Sequence, residues 1–478
     1  MSVVHNSSTL KLFSDDNVIS QDISHGLEEN FLNILEKLSE GELYEFFEID
    51  KCIQWIDENK YQRIALQLPD SYLNYAYFIV KSIEKELKDC KLYVLADTSY
   101  RSCCVDDIAA EHAKCDSLIH FGESCLSLAS SRMPVLYILG NLPINIELIK
   151  EFLSKNEVME ENIVLVYDSS YNKHGEELYN LLKNVFTNKN IFHFPIETNK
   201  DRKRVIGRSV PSEFDESLEN VLIFFVGSSE SPLITLWMMT FVNIVQGIIY
   251  DPILNKIEYK NSFAFKLLKK RLFLIEKVRD AESIGLVVGT LGVNGHNEAI
   301  QRVRELCKAS GKKLYVFSIG KLNEAKLANF SNEIDVFILL SCPFGVLLET
   351  RDYYKPLVCL FEAEIGLNRN KKWFAEKGWT SEFLSFINDT INTEICDGDG
   401  DDVDVSLVTG QIRKTNLNSY KNEKECQDIQ LYSANNVLSN RSWKGLDPNI
   451  KDNDDDYTIK EGIKGIGAQY VSEPFNKS

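Results

Sequence analysis

No two of the chain's 11 cysteines stand in a CxxC spacing, and its 7 histidines are scattered singly along 478 residues. The first absence argues against the usual structural zinc site, which draws four ligands from closely spaced pairs. The second leaves no histidine ligand set, and no Ser-His-Asp or paired-carboxylate arrangement stands out. Basic charge is also short. With 53 Lys and Arg against 71 Asp and Glu, the net charge of -18 speaks against sequence-independent binding to nucleic acid, which needs a basic surface for phosphates. The residues Met1 to Ser8 lack the basic region and apolar stretch of a secretory leader. The strongest membrane candidate, Leu233 to Tyr250, contains Asn243 and Gln246 and follows Ser231-Pro232. It reads as a buried helix followed by a strand, not as a membrane span. A cytoplasmic chain without membrane attachment is expected, and cytosolic thiols are kept reduced, so no disulfide framework is expected either.

What the chain does have is a repeated α/β unit. Near the N-terminus the strand-like segments are Arg63 to Leu68, Lys91 to Ala96 and Ser117 to Phe121, with helical spacing over 72–87 and 105–113. Farther along, strands at 284–288, 313–317 and 336–340 alternate with helices at 297–309 and 323–329. Part of the correspondence is literal. Lys91-Leu-Tyr-Val94 recurs as Lys313-Leu-Tyr-Val316, and the third strand of each unit is introduced by an aspartate, Asp116 or Asp335. A third α/β region lies between them, with strands at 162–167, 221–226 and 245–250 and helices at 171–187 and 233–242. Alternating strands and helices imply parallel sheets, and the length is too great for one typical core. The expected fold is therefore α/β, with three similar parallel-sheet domains (26–150, 151–275 and 276–380) around a central cleft. A flexible N-terminus (1–25) and a partly disordered C-terminal extension with acidic linkers (381–478) flank them. The acidic run Cys396 to Asp404 lacks the setting and the final glutamate of a calcium loop and reads as a solvated linker.

Three cysteine sites lie just past strand-like segments: the pair Cys103-Cys104, then Cys125, then Cys342. In an open α/β sheet the carboxyl ends of the strands face one crevice, so these thiols could meet around one metal. Aligning the two units through Asp116 and Asp335 sets Cys342 opposite Glu123, two residues before Cys125. Three thiolates from two domains suit an iron–sulfur cluster with one iron left open, with zinc as the alternative metal. Spacing alone leaves a metal site and ordinary buried thiols both open. Cys52, Cys90, Cys115, Cys307 and Cys359 read as packing residues, and Cys396 and Cys426 fall in polar sequence. The glycine turn Gly289, Gly292, Gly295 follows a strand and precedes a helix. Its free amides could receive a phosphate or carboxylate, or it could be a plain turn. His112 and His120 flank the cysteine region and read as packing or supporting residues.

Several stretches in order resemble the diphthamide synthesis family: Asp97 to Asp107, His120 to Ser127, Gly320 to Phe330, Ser341-Cys-Pro343 and Arg441 to Leu446. The similarity spans roughly 45–370 plus the C-terminal piece. It implies three α/β domains and a [4Fe-4S] cluster. It also implies transfer of a 3-amino-3-carboxypropyl group from S-adenosylmethionine to a histidine of translation elongation factor 2, by radical chemistry. Catalytic members carry a cluster cysteine in the middle domain, whereas this chain has none between Cys125 and Cys307. With Cys125 as substitute, it is similar to the family's second, accessory subunit. That subunit is expected to pair with subunit 1, to hold its own cluster and to pass electrons from an electron-donor protein to the partner's cluster. The resemblance implies Cys104, Cys125 and Cys342 as ligands. The residues alone do not separate Cys104 from Cys103, nor show whether Gly289, Gly292 and Gly295 hold S-adenosylmethionine. An independently catalytic transferase and a metal-free scaffold are the rival readings.

Overall fold

Two of the sheets are built to one plan. In the first, β1 (Arg63–Gln67), β2 (Lys91–Val94), β3 (Ser117–Phe121) and β4 (Val135–Ile138) lie in the order β2-β1-β3-β4, all parallel. The computed structural model describes residues 34–96, 101–128, 132–198, 203–215, 218–261, 264–320, 322–347, 353–368, 371, 373, 378–390, 404–408, 410, 412 and 413. The terminal segment 1–25, most of 381–478 and the stretch Arg441 to Leu446 lie outside them. The plan recurs with β12 (Ser283–Val288), β13 (Lys313–Ser318), β14 (Val336–Leu340) and β15 (Leu357–Cys359), again parallel, in the order β13-β12-β14-β15. The repeated aspartate has a structural reason. Asp116 Oδ2 accepts from the Gln62 and Arg63 amides at 2.8 and 3.1 Å, and Asp335 Oδ2 accepts from the Glu282 and Ser283 amides, both at 3.0 Å. Each carboxylate ties down two backbone donors where the neighbouring strand begins.

Between them stands a sheet in the order β11-β10-β9-β5-β6: β5 (Asn162–Tyr167), β6 (Asn190–His193), β9 (Val221–Val226), β10 (Ile244–Asp251) and β11 (Lys256–Asn261). Only β11 runs antiparallel. β7 (Arg204–Val205) and β8 (Arg208–Ser209) form a small hairpin beside it. β5 and β9 are buried along their whole length, which is why they read as unbroken apolar runs. Their side chains alternate between two cores. Ile163, Leu165, Tyr167, Leu222, Phe224 and Val226 join Leu66, Ile119 and Phe121 of the first sheet. Val164, Val166, Ile223 and Phe225 face the other way, into a core that contains Leu286 and Ile338 of the third sheet together with Cys104, Cys125 and Cys342. The two largest cores are thus each shared between sheets.

The segment Leu233 to Tyr250 is helix then strand. Ser231 Oγ caps the helix Pro232–Thr240 by accepting from the Leu233 amide, with Pro232 in the first turn. This helix is apolar on nearly all sides because its surroundings are apolar. Trp237, fully buried, lies 4.8 Å from the rings of both Phe194 and Phe241. No described helix is long and apolar enough to cross a membrane. The helix Ala264–Asp280 carries the chain from β11 to β12 and packs on the helices Pro232–Thr240 and Leu360–Leu367.

Candidate metal centre

A sheet ordered 2-1-3-4 reverses direction between its first and third strands, and ligands of open α/β sheets bind at the carboxyl side of such a switch. The cysteine turn is fastened at this place. Gln67, the last residue of β1 and 1% exposed, donates through Nε2 to the Cys104 carbonyl at 2.7 Å and more weakly to that of Ser102 at 3.4 Å. Its Oε1 accepts from the Asp106 amide at 2.9 Å. Asp106 in turn caps the helix Asp107–His112, with Oδ1 accepting from the Ala109 amide at 2.9 Å. The turn itself closes by the Cys104 amide donating to the Arg101 carbonyl at 3.1 Å. From β3, His120 Nε2 reaches the Ser102 carbonyl at 3.0 Å. That contact makes Nε2 the protonated nitrogen, and complete burial holds the imidazole neutral, its pKa lowered to about 4. His120 is therefore a support for the turn, while His112 is exposed at the end of its helix.

Cys125 is tied to the same turn. Its amide donates to the Cys103 carbonyl at 3.2 Å, Ser124 Oγ does so at 3.2 Å and the Cys125 thiol at 3.3 Å. From the third sheet, Cys342 follows β14 at the equivalent switch position. The outcome is four sulfurs, those of Cys103, Cys104, Cys125 and Cys342, all within 4.8 Å of one another. The pairs Cys103–Cys342 and Cys104–Cys125 are 3.8 and 3.9 Å apart. The other described cysteines stand outside this group, and Cys359 is buried at the start of the helix Leu360–Leu367. Cys103, set aside on resemblance, is as close as the other three.

Such crowding distributes one negative charge unevenly. Hydrogen bonds from neighbouring thiols, Cys103 foremost, hold Cys342 well below the usual thiol range, and the Arg101 charge adds to this. The contact with Cys104 lowers Cys103, but those with Cys125 and Cys342, and burial, push it well above that range; contacts with Cys103, Cys125 and Cys342, and burial, push Cys104 well above it too. A bound cation would supply the charge that lets further thiols of the group ionise. The donor set contains no imidazole and no carboxylate, and such a soft set selects zinc or an iron–sulfur centre over harder ions. Tetrahedral sulfurs 2.3 Å from a single ion stand about 3.8 Å apart, so the shortest pairs match one ion. A four-iron cluster is bulkier, and holding it requires these loops to part.

The glycine turn abuts the cysteines. Together with Cys103, Cys104, Ser124, Cys125 and Tyr137, Gly292 and Val293 line a cavity of about 10 Å³, room for about one water. A Cβ on Gly292 would stand 2.3 Å from the Val105 carbonyl oxygen, and one on Gly295 (φ +78°) would stand 2.5 Å from Leu384. Gly289 donates its amide to the Leu340 carbonyl, and Asn294 donates to Leu128. These contacts give the three glycines packing tasks: Gly292 against the cysteine turn, Gly289 within the third sheet and Gly295 against Leu384.

The middle sheet contributes no thiol to this region; its Asp168 and Arg208 meet Glu123 from the loop after β3. Ser169 Oγ donates to Glu123 Oε1 at 2.8 Å, and Ser231 Oγ to Asp168 Oδ1 at 2.6 Å. Burial raises both acids, Asp168 to about 8, and the buried Arg208 opposes the shift. Arg208 Nη2 donates to the Tyr167 carbonyl at 3.0 Å. This cluster fixes the loop between β3 and Cys125 against the tips of β5 and β9.

Fold and site together define a multi-sheet α/β protein whose strand-tip cysteines could hold a metal. The family model of diphthamide synthesis proteins matches residues 68–379, which include all four cysteines. Two relatives named 2-(3-amino-3-carboxypropyl)histidine synthase subunit 2 are similar along nearly their whole length. The one from Caenorhabditis elegans is 40% identical over 457 residues (93% of this chain, 95% of the relative), and the one from Xenopus laevis is 34% identical over 463 (92% and 94%). The chain belongs to the diphthamide synthesis family. Its fold is similar to that of Dph2 from Pyrococcus horikoshii, solved with a 4Fe-4S cluster, at a TM-score of 0.53 and 16% identity, covering 70% of this chain and 94% of that one.

Proposed function

We propose that the chain is the supporting subunit of a two-subunit transferase, in which Cys104, Cys125 and Cys342 hold a [4Fe-4S] cluster. Bound there, such a cluster supplies one-electron transfer. In this reading the partner, subunit 1 of the family's enzyme, transfers the 3-amino-3-carboxypropyl group from S-adenosylmethionine to a histidine of translation elongation factor 2 in the cytoplasm. The present chain relays electrons from an electron-donor protein and keeps the partner's cluster reduced. The observation that carries this is the meeting, within 4.8 Å, of sulfurs from two sheets whose cysteines lie up to 239 residues apart. The subunit 2 names of the relatives support the need for a partner. The contacts of Gly289, Gly292 and Gly295 support a packing role for that turn, with S-adenosylmethionine bound by the partner. Within the chain, Gln67 and His120 hold the turn of Cys103 and Cys104, and Glu123 steadies the approach to Cys125.

The test is a transfer assay on elongation factor 2 with and without subunit 1, using wild-type chain and Cys342→Ser. Product with both subunits, none from this chain alone, and slowed multiple turnover with Cys342→Ser are expected. Product from this chain alone would make it a catalyst. Unimpaired turnover with Cys104, Cys125 and Cys342 all replaced would make it a scaffold. The 3.8 and 3.9 Å sulfur spacings favour a second reading, one tetrahedral zinc ion in a structural role.

A further inference from the structure

We infer that the hydroxyls of Tyr137 and Ser127 donate hydrogen bonds to the sulfurs of Cys104 and Cys125, across the one water that the cavity beside them admits, and so set how readily the centre takes up an electron. The placement starts from strand register. His120 and Tyr137 are partners across β3 and β4, so their side chains share one face at the carboxyl end of the first sheet. Their ring centroids stand 5.8 Å apart. His120 commits its Nε2 to the Ser102 carbonyl, whereas Tyr137 lines the cavity of about 10 Å³ together with Cys104, Cys125 and Ser127. Ser124, also in that wall, is already engaged, donating to the Cys103 carbonyl and accepting from the Leu126 amide, both at 3.2 Å. Ser127 Oγ is buried and has no hydrogen-bond partner among the described residues. A buried hydroxyl left so is costly. A buried water takes about two to four polar partners, and two hydroxyls with two sulfurs meet that need.

The consequence is functional. Burial raises the Tyr137 hydroxyl well above the usual phenol range, and negative charge on Cys125 and Cys104 adds to this while Arg204 opposes it. The group therefore keeps its proton and serves as a donor. Hydrogen bonds to the sulfurs are among the features that set an iron–sulfur potential. Reduction makes those sulfurs more negative, and a hydrogen bond strengthens as its acceptor gains charge. The two hydroxyls thus favour the reduced state and raise the potential, with no proton changing place. The inference rests on the cluster reading above, and the two can fail separately.

The experiment uses the full chain, purified without oxygen, as wild type, Tyr137→Phe, Ser127→Ala and the double variant. Iron and sulfide should match wild type in all three variants, because every sulfur is kept. A potentiometric titration followed by electron paramagnetic resonance should find reduction of Tyr137→Phe disfavoured about tenfold, about 59 mV to lower potential for one electron. Ser127→Ala should move the same way by less. The iron–sulfur stretching bands of the Raman spectrum should shift less in heavy water for the double variant than for wild type. Potentials and band shifts equal to wild type in every variant overturn the inference. Loss of the cluster from both single variants overturns it too, since hydroxyls acting across a water are not ligands. A preparation with zinc and no sulfide overturns the cluster reading instead. The hydrogen bonds are then read from alkylation of the zinc-bound thiolates by iodoacetamide, which should be faster in the double variant; an unchanged rate overturns them.

Discussion

Replacing Gln67 by Met keeps the volume and removes the amide that fastens the cysteine turn. Two strong hydrogen bonds disappear, Nε2 to the Cys104 carbonyl at 2.7 Å and the Asp106 amide to Oε1 at 2.9 Å, with the long contact to the Ser102 carbonyl. Gln67, Cys104 and Asp106 are all buried, so the abandoned carbonyl and amide cannot turn to bulk water. Each group left without a partner costs about 1–3 kcal/mol, and local relaxation recovers part of it. A loss of about 3 kcal/mol is expected for the metal-free chain, read from guanidinium midpoints at unchanged slope. Supporting hydrogen bonds of this kind also shape metal affinity, so chelator competition should show metal held about 10–100-fold more weakly. Gln67→Glu is the informative second variant. It can still accept from Asp106 but sets a carboxylate against two carbonyls, so it should lose at least as much metal affinity. A Gln67→Met chain within about 0.5 kcal/mol of wild type, with metal retention unchanged, would refute this account of how the turn is held.

Gly292→Ala drives a Cβ to 2.3 Å from the Val105 carbonyl, a backbone atom that cannot swing away. About 2 kcal/mol of destabilisation and weaker metal retention should follow, whereas Gly41→Ala, with nothing within 4 Å on an exposed helix, should be neutral or stabilising by about 0.5 kcal/mol. Arg302 makes a buried bidentate pair with Glu364, Nε to Oε2 at 2.9 Å and Nη2 to Oε1 at 2.6 Å, joining the helices His296–Ala309 and Leu360–Leu367. Arg302→Met should cost about 3–5 kcal/mol, and adding Glu364→Leu should restore most of it in urea unfolding. Burial raises Asp168 from 3.8 to about 8, so it favours the folded state below its unfolded pKa, and that stability is lost as pH rises towards 8. The slope from this group is at most about 1.4 kcal/mol per pH unit. Asp168→Asn should remove it, gaining on wild type between pH 5 and 8 in midpoints measured at each pH.

Much of this was legible because burial on both faces leaves a plain trace. Ile163 to Tyr167 and Val221 to Val226 are apolar runs, and both lie in strands between two cores. The paired Asp116 and Asp335 marked equivalent strands because the same two amides need capping in each unit. That equivalence brought Cys125 and Cys342 to matching switch points, and they meet. Other features depend on contacts that one chain does not advertise. Whether neighbouring cysteines diverge or converge is decided by the turn around Arg101, so Cys103 could not be ranked from sequence. Gln67 looks like any polar residue closing a strand until the amide and carbonyls it serves are seen. The apolar run from Leu357 to Phe361 does not show where its strand ends, yet it becomes helix at Leu360, where Glu362 reaches back to the Cys359 amide at 2.7 Å. The buried Glu123, Asp168 and Arg208 cluster left no signal, since its members come from three separate loops and strands. A Glu two residues before Cys125, opposite Cys342 in the repeat, was the nearest hint.

The central claim is that sulfurs from the first and third sheets together hold an iron–sulfur cluster. Its most direct test is metal and sulfide analysis of the full chain purified without oxygen, beside Cys342→Ala. The account predicts a brown wild-type protein with iron and acid-labile sulfide in equal amounts, and a variant depleted of both while still folded. A colourless wild-type protein carrying zinc without sulfide, or a Cys342→Ala chain with its iron intact, would contradict it.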